Sequence, residues 1–321
     1  MKHPGHKAST LRFYKEQMLR VLAHIQEHLN EELVLEDLAK RACLSPHHFH
    51  RVFRGMLGEP LAAHVRRLRL ERAACGLRTT RRPVIEIALD TGYESHEAFS
   101  RAFKTAFGRS PSGYREHDGE PEQLPARSGV HFCHGQPLSD FRAVTHRLFA
   151  MEIAVETVAP MRVAFVRHIG PYDQCSTAWD RLSSWLGKEG YLGRGCRFLG
   201  VSYDDPESTP AEKIRYDACL TVDASFQPAG DIGVQVIGGG DYVRATHFGP
   251  YANLKETYGR LMGQWLPRSG RHLRDAACFE EYVNSPDSTP PAELITDVFV
   301  PLAPALEWPL STAKTIAATR D

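Results

Sequence analysis

A short stretch that occurs twice constrains this 321-residue chain more than any other feature. Residues 44–58 read LSPHHFHRVFRGMLG, and about fifty residues on, residues 93–108 read YESHEAFSRAFKTAFG. Phe49, Val52, Phe53, Met56 and Leu57 recur at helical spacing, and Phe99, Ala102, Phe103, Ala106 and Phe107 repeat the pattern. Each copy therefore predicts a helix that buries one face. The opposite faces carry His47, His50, Arg51 and Arg54, then Glu97, Ser100, Arg101 and Lys104. Donors and cations at that spacing suit a helix lying in a DNA major groove.

The approach to each helix repeats as well. Leu38-Ala39 leads through Cys43 to Ser45-Pro46, and Ile87-Ala88 leads through Gly92 to Ser95. A short helix, a tight turn and a Ser N-cap opening a longer helix read as helix-turn-helix. Gly92 adopts a left-handed turn without strain, whereas Cys43 has to do so with a Cβ. A long helix after Pro60, over residues 61–77, joins the two units. Its Val65, Leu68, Ala73 and Leu77 face inward, and Arg66, Arg67 and Arg69 are expected elsewhere on its surface.

The segment LEDLAKRACLSPHHFHRVFR, followed by IALDTGYESHEAFSRAFKTAFGRSPSGYR, resembles the AraC/XylS family of bacterial transcription regulators. The second part fills almost every position of that family's pattern, and the likeness covers about residues 16–117. It implies one chain placing two helices in successive major grooves of a bipartite double-stranded site. RNA polymerase is implied as a partner. The geometry suits Arg51 and Arg101 to guanine, while His47, His50, His96, Glu97 and Ser100 can reach base edges. Arg54 and Lys104, a turn later, are expected on phosphate. Arg69-Leu70 matches the family's R-L pair and leaves two roles open, a structural bridge or a phosphate contact.

The net charge is zero, but it is unevenly spread. Residues 1–118 hold 20 Lys and Arg against 14 Asp and Glu, a local excess of +6 that the remainder cancels. The basic footprint expected of a DNA-binding region is thus confined to the first part. Seven Cys are scattered without a C-x-x-C pair. No apolar run approaches the ~20 residues of a membrane span. A cytoplasmic protein with no membrane partner is expected. His131-Phe132-Cys133-His134 lacks a fourth ligand nearby, so neither metal nor cofactor is expected.

Residues 1–15 are expected to be a flexible start, 16–118 the DNA-binding domain, and 119–150 a Pro-, Gly- and charge-rich linker. That composition predicts two separable domains. The second half has its own repeat: RVAFVRHIGPYDQCSTAWDRLSSWL, from 162, returns as YVRATHFGPYANLKETYGRLMGQW, from 242. Each unit reads as strand, G-P-Y turn, helix and two strands, so two units give one antiparallel sheet with helices on one face. The duplicated H-[IF]-G-P-Y and the closing DDPESTPAE and NSPDSTPPAE resemble the GyrI-like effector-binding domain over residues 151–304, leaving 305–321 as a tail. The chain is therefore expected to be multidomain. Its N-terminal domain is all-α with two helix-turn-helix units. Its C-terminal domain is α+β, built from two strand-helix-strand-strand repeats.

In ACFEEYVN, Glu280 and Tyr282 point the same way from a strand, with Glu281 opposite. An inward carboxylate among aromatics is costly unless paired, and a cationic ligand would relieve it. The alternative is a Glu280 exposed or bridged to Arg197 or Arg244. The first repeat has Gly200 at this place, so the acid belongs to one half only. The resemblance makes Glu280 the ligand-contacting acid. Tyr172 and Tyr251 are either plugs at the helix starts or walls of an effector pocket, and Trp179 is core with a share of that pocket. The leading reading is an effector-responsive transcription regulator with multidrug-type sensing, not an enzyme. Two alternatives give the second half another role, as a protein-interaction module or as a slow hydrolase using Glu280 and Tyr282.

Overall fold

The computed structural model describes residues 4–93, 95–117, 119–133, 135, 138–144, 151–191, 195–204, 206, 209–228 and 230–305. Helix α1 spans Pro4–Glu27, so regular helix covers much of the expected flexible start. The first helix-turn-helix is α2 (Leu35–Arg41) and α3 (Pro46–Leu57). Helix α4 (Leu61–Thr79) leads to the second, α5 (Val84–Asp90) and α6 (His96–Phe107), and α7 (Pro111–Glu116) closes the region. Ser45 and Ser95 cap α3 and α6 by accepting from the His48 and Ala98 amides. Gly92 turns at φ 76°, and Cys43 takes the equivalent turn at φ 54° with its Cβ in place.

Arg69 and Arg67 are structural. Arg69 donates to the carbonyls of Leu29 and Glu31, each at 2.8 Å, and fixes the chain just beyond α1. Its guanidinium also lies under the second turn: a Cβ at Gly92 would sit 2.7 Å from the Arg69 Cζ. Arg67, expected at the surface, is buried. It pairs with Glu59 at 2.6 Å and Glu71 at 3.2 Å and donates to the Val130 carbonyl at 2.9 Å. Glu71 accepts from the amides of Leu124 and Phe132. The connecting segment is therefore laid along α4 with its backbone groups satisfied, and Val130 and Phe141 are buried in the core.

Among the described residues, eight strands form one antiparallel sheet in the order β1-β6-β8-β7-β3-β4-β2-β5. They are β1 (Ile153–Val158), β2 (Met161–Ile169), β3 (Phe198–Ser202), β4 (Arg215–Thr221), β5 (Gly233–Ile237), β6 (Gly240–Phe248), β7 (Phe279–Tyr282) and β8 (Ile295–Pro301). The repeat read in the sequence appears as two half-sheets, β2-β4-β3 and β6-β8-β7, meeting where β3 pairs with β7. The flanking strands are exchanged: β1 precedes the first unit but pairs with β6, and β5 precedes the second but pairs with β2. Helix α8 (Ser176–Lys188) packs on β2 and β4. The matching helix runs from α9 (Leu254–Arg260) through a π-wound segment, Leu261–Trp265, into α10 (Leu266–Ser269).

The helical region and the sheet region share a core. One apolar cluster contains Met18, Leu22, Phe49, Val52 and Met56 together with Val243, Leu261, Met262, Leu266 and Val298. Helix α1 lies against α10, and α3 lies against α9 and the π segment. The composition of residues 119–150 gave no sign of this. Burial opposes the Glu59 charge, but hydrogen bonds from His64 and Arg67 hold its carboxyl down at about 2. That contribution is full above about pH 4.5 and fades as pH falls toward 2. Arg67→Ala is expected to cost about 3 kcal/mol, since it takes the cation from the buried Glu71 and the half-buried Glu59. Urea unfolding at pH 7 measures this, and the difference from wild type should shrink below about pH 4.5.

Candidate functional site

The β3–β7 junction sets the geometry of the site. Gly200 stands directly opposite Glu280 across the strands. Ser202 and Tyr282 follow on the same face, because side chains alternate along a strand. All of these point to the helix side, into the cleft between α8 and α9. A Cβ at Gly200 would come within 2.5 Å of both the Tyr216 and Tyr282 hydroxyls, so the glycine makes room for them.

Glu280 is 2% exposed. Its carboxylate accepts from Tyr258 at 2.6 Å and from Ser202 at 3.1 and 3.2 Å. Burial drives its pKa up, against the Tyr258 hydroxyl, the Arg51 charge and Ser202, which favour ionisation. Glu281, on the opposite face, pairs with Arg197. Tyr282 shares a hydrogen bond of 2.8 Å with Tyr216, whose hydroxyl also accepts from the Trp179 indole at 3.2 Å. The Tyr282 ring touches those of Tyr251 and Trp179 edge-on, and Tyr172 packs on Tyr216. Trp179, Tyr172, Tyr251, Glu280 and Tyr282 thus stand around one cleft.

A cation already fills it. Arg51, from α3, is 7% exposed and places its Cζ 3.7 Å from the Tyr258 ring centroid. Burial opposes its charge, but Tyr258, Cys278, Tyr172 and Glu280 favour it and hold the guanidinium ionised. Its Nη1 is buried without a hydrogen-bond partner among the described residues. A turn away on α3, Gly55 lies against the backbone of Gly259 and Gly263, where any Cβ would overlap. Near the start of α3, His48 Nε2 is 3.9 Å from the Cys278 Sγ. Burial, then the Arg51 charge, pushes His48 down to about 4, and His47 well below its usual range.

The two expected reading faces therefore differ. On α6, His96, Glu97, Arg101 and Lys104 are exposed and Ser100 is half-buried. On α3, His50 and Arg51 are buried and His47 and Arg54 are half-buried, under the sheet region. Ligand atoms of His47, His48 and Cys278 lie within 4.8 Å of one another. The Arg51 guanidinium beside them works against a bound metal cation. Of the His131–His134 cluster, His131 meets Glu71 at 3.1 Å, and His134 is outside the described residues.

Residues 151–303 match the GyrI-like small molecule binding domain, and residues 38–117 match a helix-turn-helix domain. Regulatory protein SoxS of Escherichia coli (strain K12) is 41% identical over 95 residues, 30% of this chain and 89% of that protein. The chain belongs to the AraC/XylS family. This AraC/XylS protein is also 25% identical to the transcriptional regulator Rob of Salmonella typhimurium (strain LT2) over 283 residues, 84% of this chain and 90% of that one. The solved EcmrR C-terminal domain shares 22% identity at a TM-score of 0.40, covering 48% of this chain and 98% of that one. The protein is a DNA-binding transcription regulator with a GyrI-like, small-molecule-sensing domain. No helix among its described residues is long and apolar enough to cross a membrane.

Tyr258, Ser202 and Tyr216 are the cleft residues that sequence reading did not single out. Tyr258 had a signal: it stands eleven residues after His247, as Trp179 stands eleven after His168. Gly200→Ala in this regulator is expected to cost about 1–3 kcal/mol by crowding the two hydroxyls. Thermal melts measure it, and a second substitution, Tyr282→Phe, should recover part of the loss.

Proposed function

We propose that the protein reads a bipartite DNA site with α3 and α6 and answers to a cationic, aromatic-stacking effector bound on the Tyr258 ring beside Glu280. The observation that carries this is the Arg51 guanidinium stacked on Tyr258 beside a buried carboxylate. A site that accommodates one planar cation has the chemistry to hold another. Tyr282, Tyr251, Trp179 and Tyr172 supply the surrounding rings, whose faces attract cations. In this reading Arg101, His96, Glu97 and Ser100 meet base edges on one side of the site and Lys104 meets phosphate. His47, His50, Arg51 and Arg54 do the same for the other half when α3 is free. Two grooves one helical turn apart fit one chain with two such helices. RNA polymerase is the further partner, and the cytoplasm, where the DNA is, is the place of action.

The cleft is read as a sensor, not a catalytic centre. Burial raises the Tyr258 and Tyr282 hydroxyls well above their usual range, and both are held in hydrogen bonds, Tyr258 to Glu280 and Tyr282 with Tyr216.

Glu280→Gln removes the charge and keeps the shape. It is expected to weaken binding of a cationic ligand by about 2–5 kcal/mol, or thirtyfold and more, with little effect on a neutral ligand of the same outline. Calorimetric titration of both proteins measures it, and equal affinities would make the acid structural. On the DNA side, Arg101→Ala should relax base preference at one half-site. Lys104→Ala should weaken binding to all sequences and flatten its salt dependence, as competition binding over a salt series would show.

A further inference from the structure

The face of α3 that suits a major groove is the face now pressed on the sensor. His47, Arg51 and Gly55 recur at steps of four, one above another along the helix. Gly55 is at the crossing with Gly259 and Gly263, Arg51 is on Tyr258, and His47 lies over the segment bearing Tyr203. A helix in this position cannot enter a groove. The equivalent face of α6 is open.

Three features show that the contact is built for this approach. Glycine inside a helix costs roughly 1 kcal/mol against alanine, and here three helical glycines meet at one crossing, where a Cβ at Gly55 or Gly263 would overlap the opposing backbone. The π-wound segment Leu261–Trp265 carries one of them, Gly263, toward α3. Finally, the docked helix delivers a cation to the only part of the sensor's helix-side cleft where a buried carboxylate and an aromatic face are described together. The fit is also incomplete, since Arg51 Nη1 has no hydrogen-bond partner among the described residues. An occupant held this way can be displaced by a ligand that satisfies the cleft better.

We propose that α3 has two alternative partners for one face, a DNA groove and the sensor cleft, with Arg51 as the cleft's internal cation. A cationic effector that takes the place of Arg51 on Tyr258 and Glu280 expels it and frees α3 to bind DNA. This rests on the effector reading of the cleft given above. By linkage, DNA bound to α3 raises the affinity of the cleft for the effector by the same factor that the effector raises affinity for DNA.

The test uses the full chain, benzamidinium as a planar cationic probe, and a random-sequence duplex at low salt. Gly55→Ala suits a helix but not the crossing. Hydrogen exchange should quicken over residues 46–57 and stay unchanged over 96–107, which also reports that the second helix-turn-helix is folded. With the docked form at nine-tenths or more of the population, duplex affinity should rise about tenfold or more. Its salt dependence should steepen as α3 adds phosphate contacts. Benzamidinium should do the same to the wild type, and Arg51→Ala should bind it about tenfold more tightly, the internal competitor being gone. Unchanged exchange and duplex affinity in Gly55→Ala would overturn the proposal. Benzamidinium that binds, loses affinity in Glu280→Gln, yet leaves α3 exchange as it was would overturn the competition and leave the effector reading standing. Binding to neither the wild type nor Arg51→Ala would overturn the cleft as a cation site.

Discussion

The Arg51 guanidinium on the Tyr258 ring, beside Glu280, is the contact on which the arrangement of the two halves turns. A charge can be buried at that depth only if its surroundings favour it. Here the aromatic face and the carboxylate do so, and they come from the sensor while the cation comes from the DNA-reading helix. The glycine crossing below it lets the backbones approach closely enough for Arg51 to reach. Removing the cation takes away a charge that favours ionised Glu280, and removing the carboxylate takes away one of the groups that favour the buried guanidinium. Each half of the protein thus completes the electrostatics of the other.

Other contacts hold the halves in this relation. Arg67 and Glu71 fasten the connecting segment to α4 through its backbone, and Val144 donates to the Met56 carbonyl near the end of α3. Helix α1 lies on α10. The connector is therefore a strap, short on apolar side chains but rich in satisfied amides. Movement of α3 away from the cleft has to disturb this strap near Met56, which couples the sensor to the DNA-binding region by a physical route as well as by competition.

Much of this was legible from the residues. The two helix-turn-helix units, the sheet of two repeats and the same-side placement of Glu280 and Tyr282 follow from periodicity and repetition, which local sequence records. The mismatch of Gly200 with Glu280 between the repeats was visible, though not that the two stand opposite each other, and Tyr258 could have been found by carrying Trp179 into the second repeat. What was not legible depends on contacts distant in the chain. An Arg on the polar face of a helix serves phosphate, base or carboxylate equally well, so Arg51 and Arg67 read as surface residues. Gly55 alone hinted otherwise, being a glycine in mid-helix where a close backbone approach is the usual physical reason. The exchanged edges β1 and β5 left no trace, because strand pairing is not written in either strand alone.

Photocrosslinking from one position tests the central claim most directly. A benzophenone side chain at His47, half-buried at the start of α3, lies over the Tyr203 segment when the helix is docked. Irradiated alone, the protein should give an intramolecular adduct to the sensor. Titrated with duplex, it should give an adduct to DNA instead, one rising as the other falls. Growth of the DNA adduct with no loss of the internal one would contradict the claim, since α3 would then reach DNA without leaving the cleft.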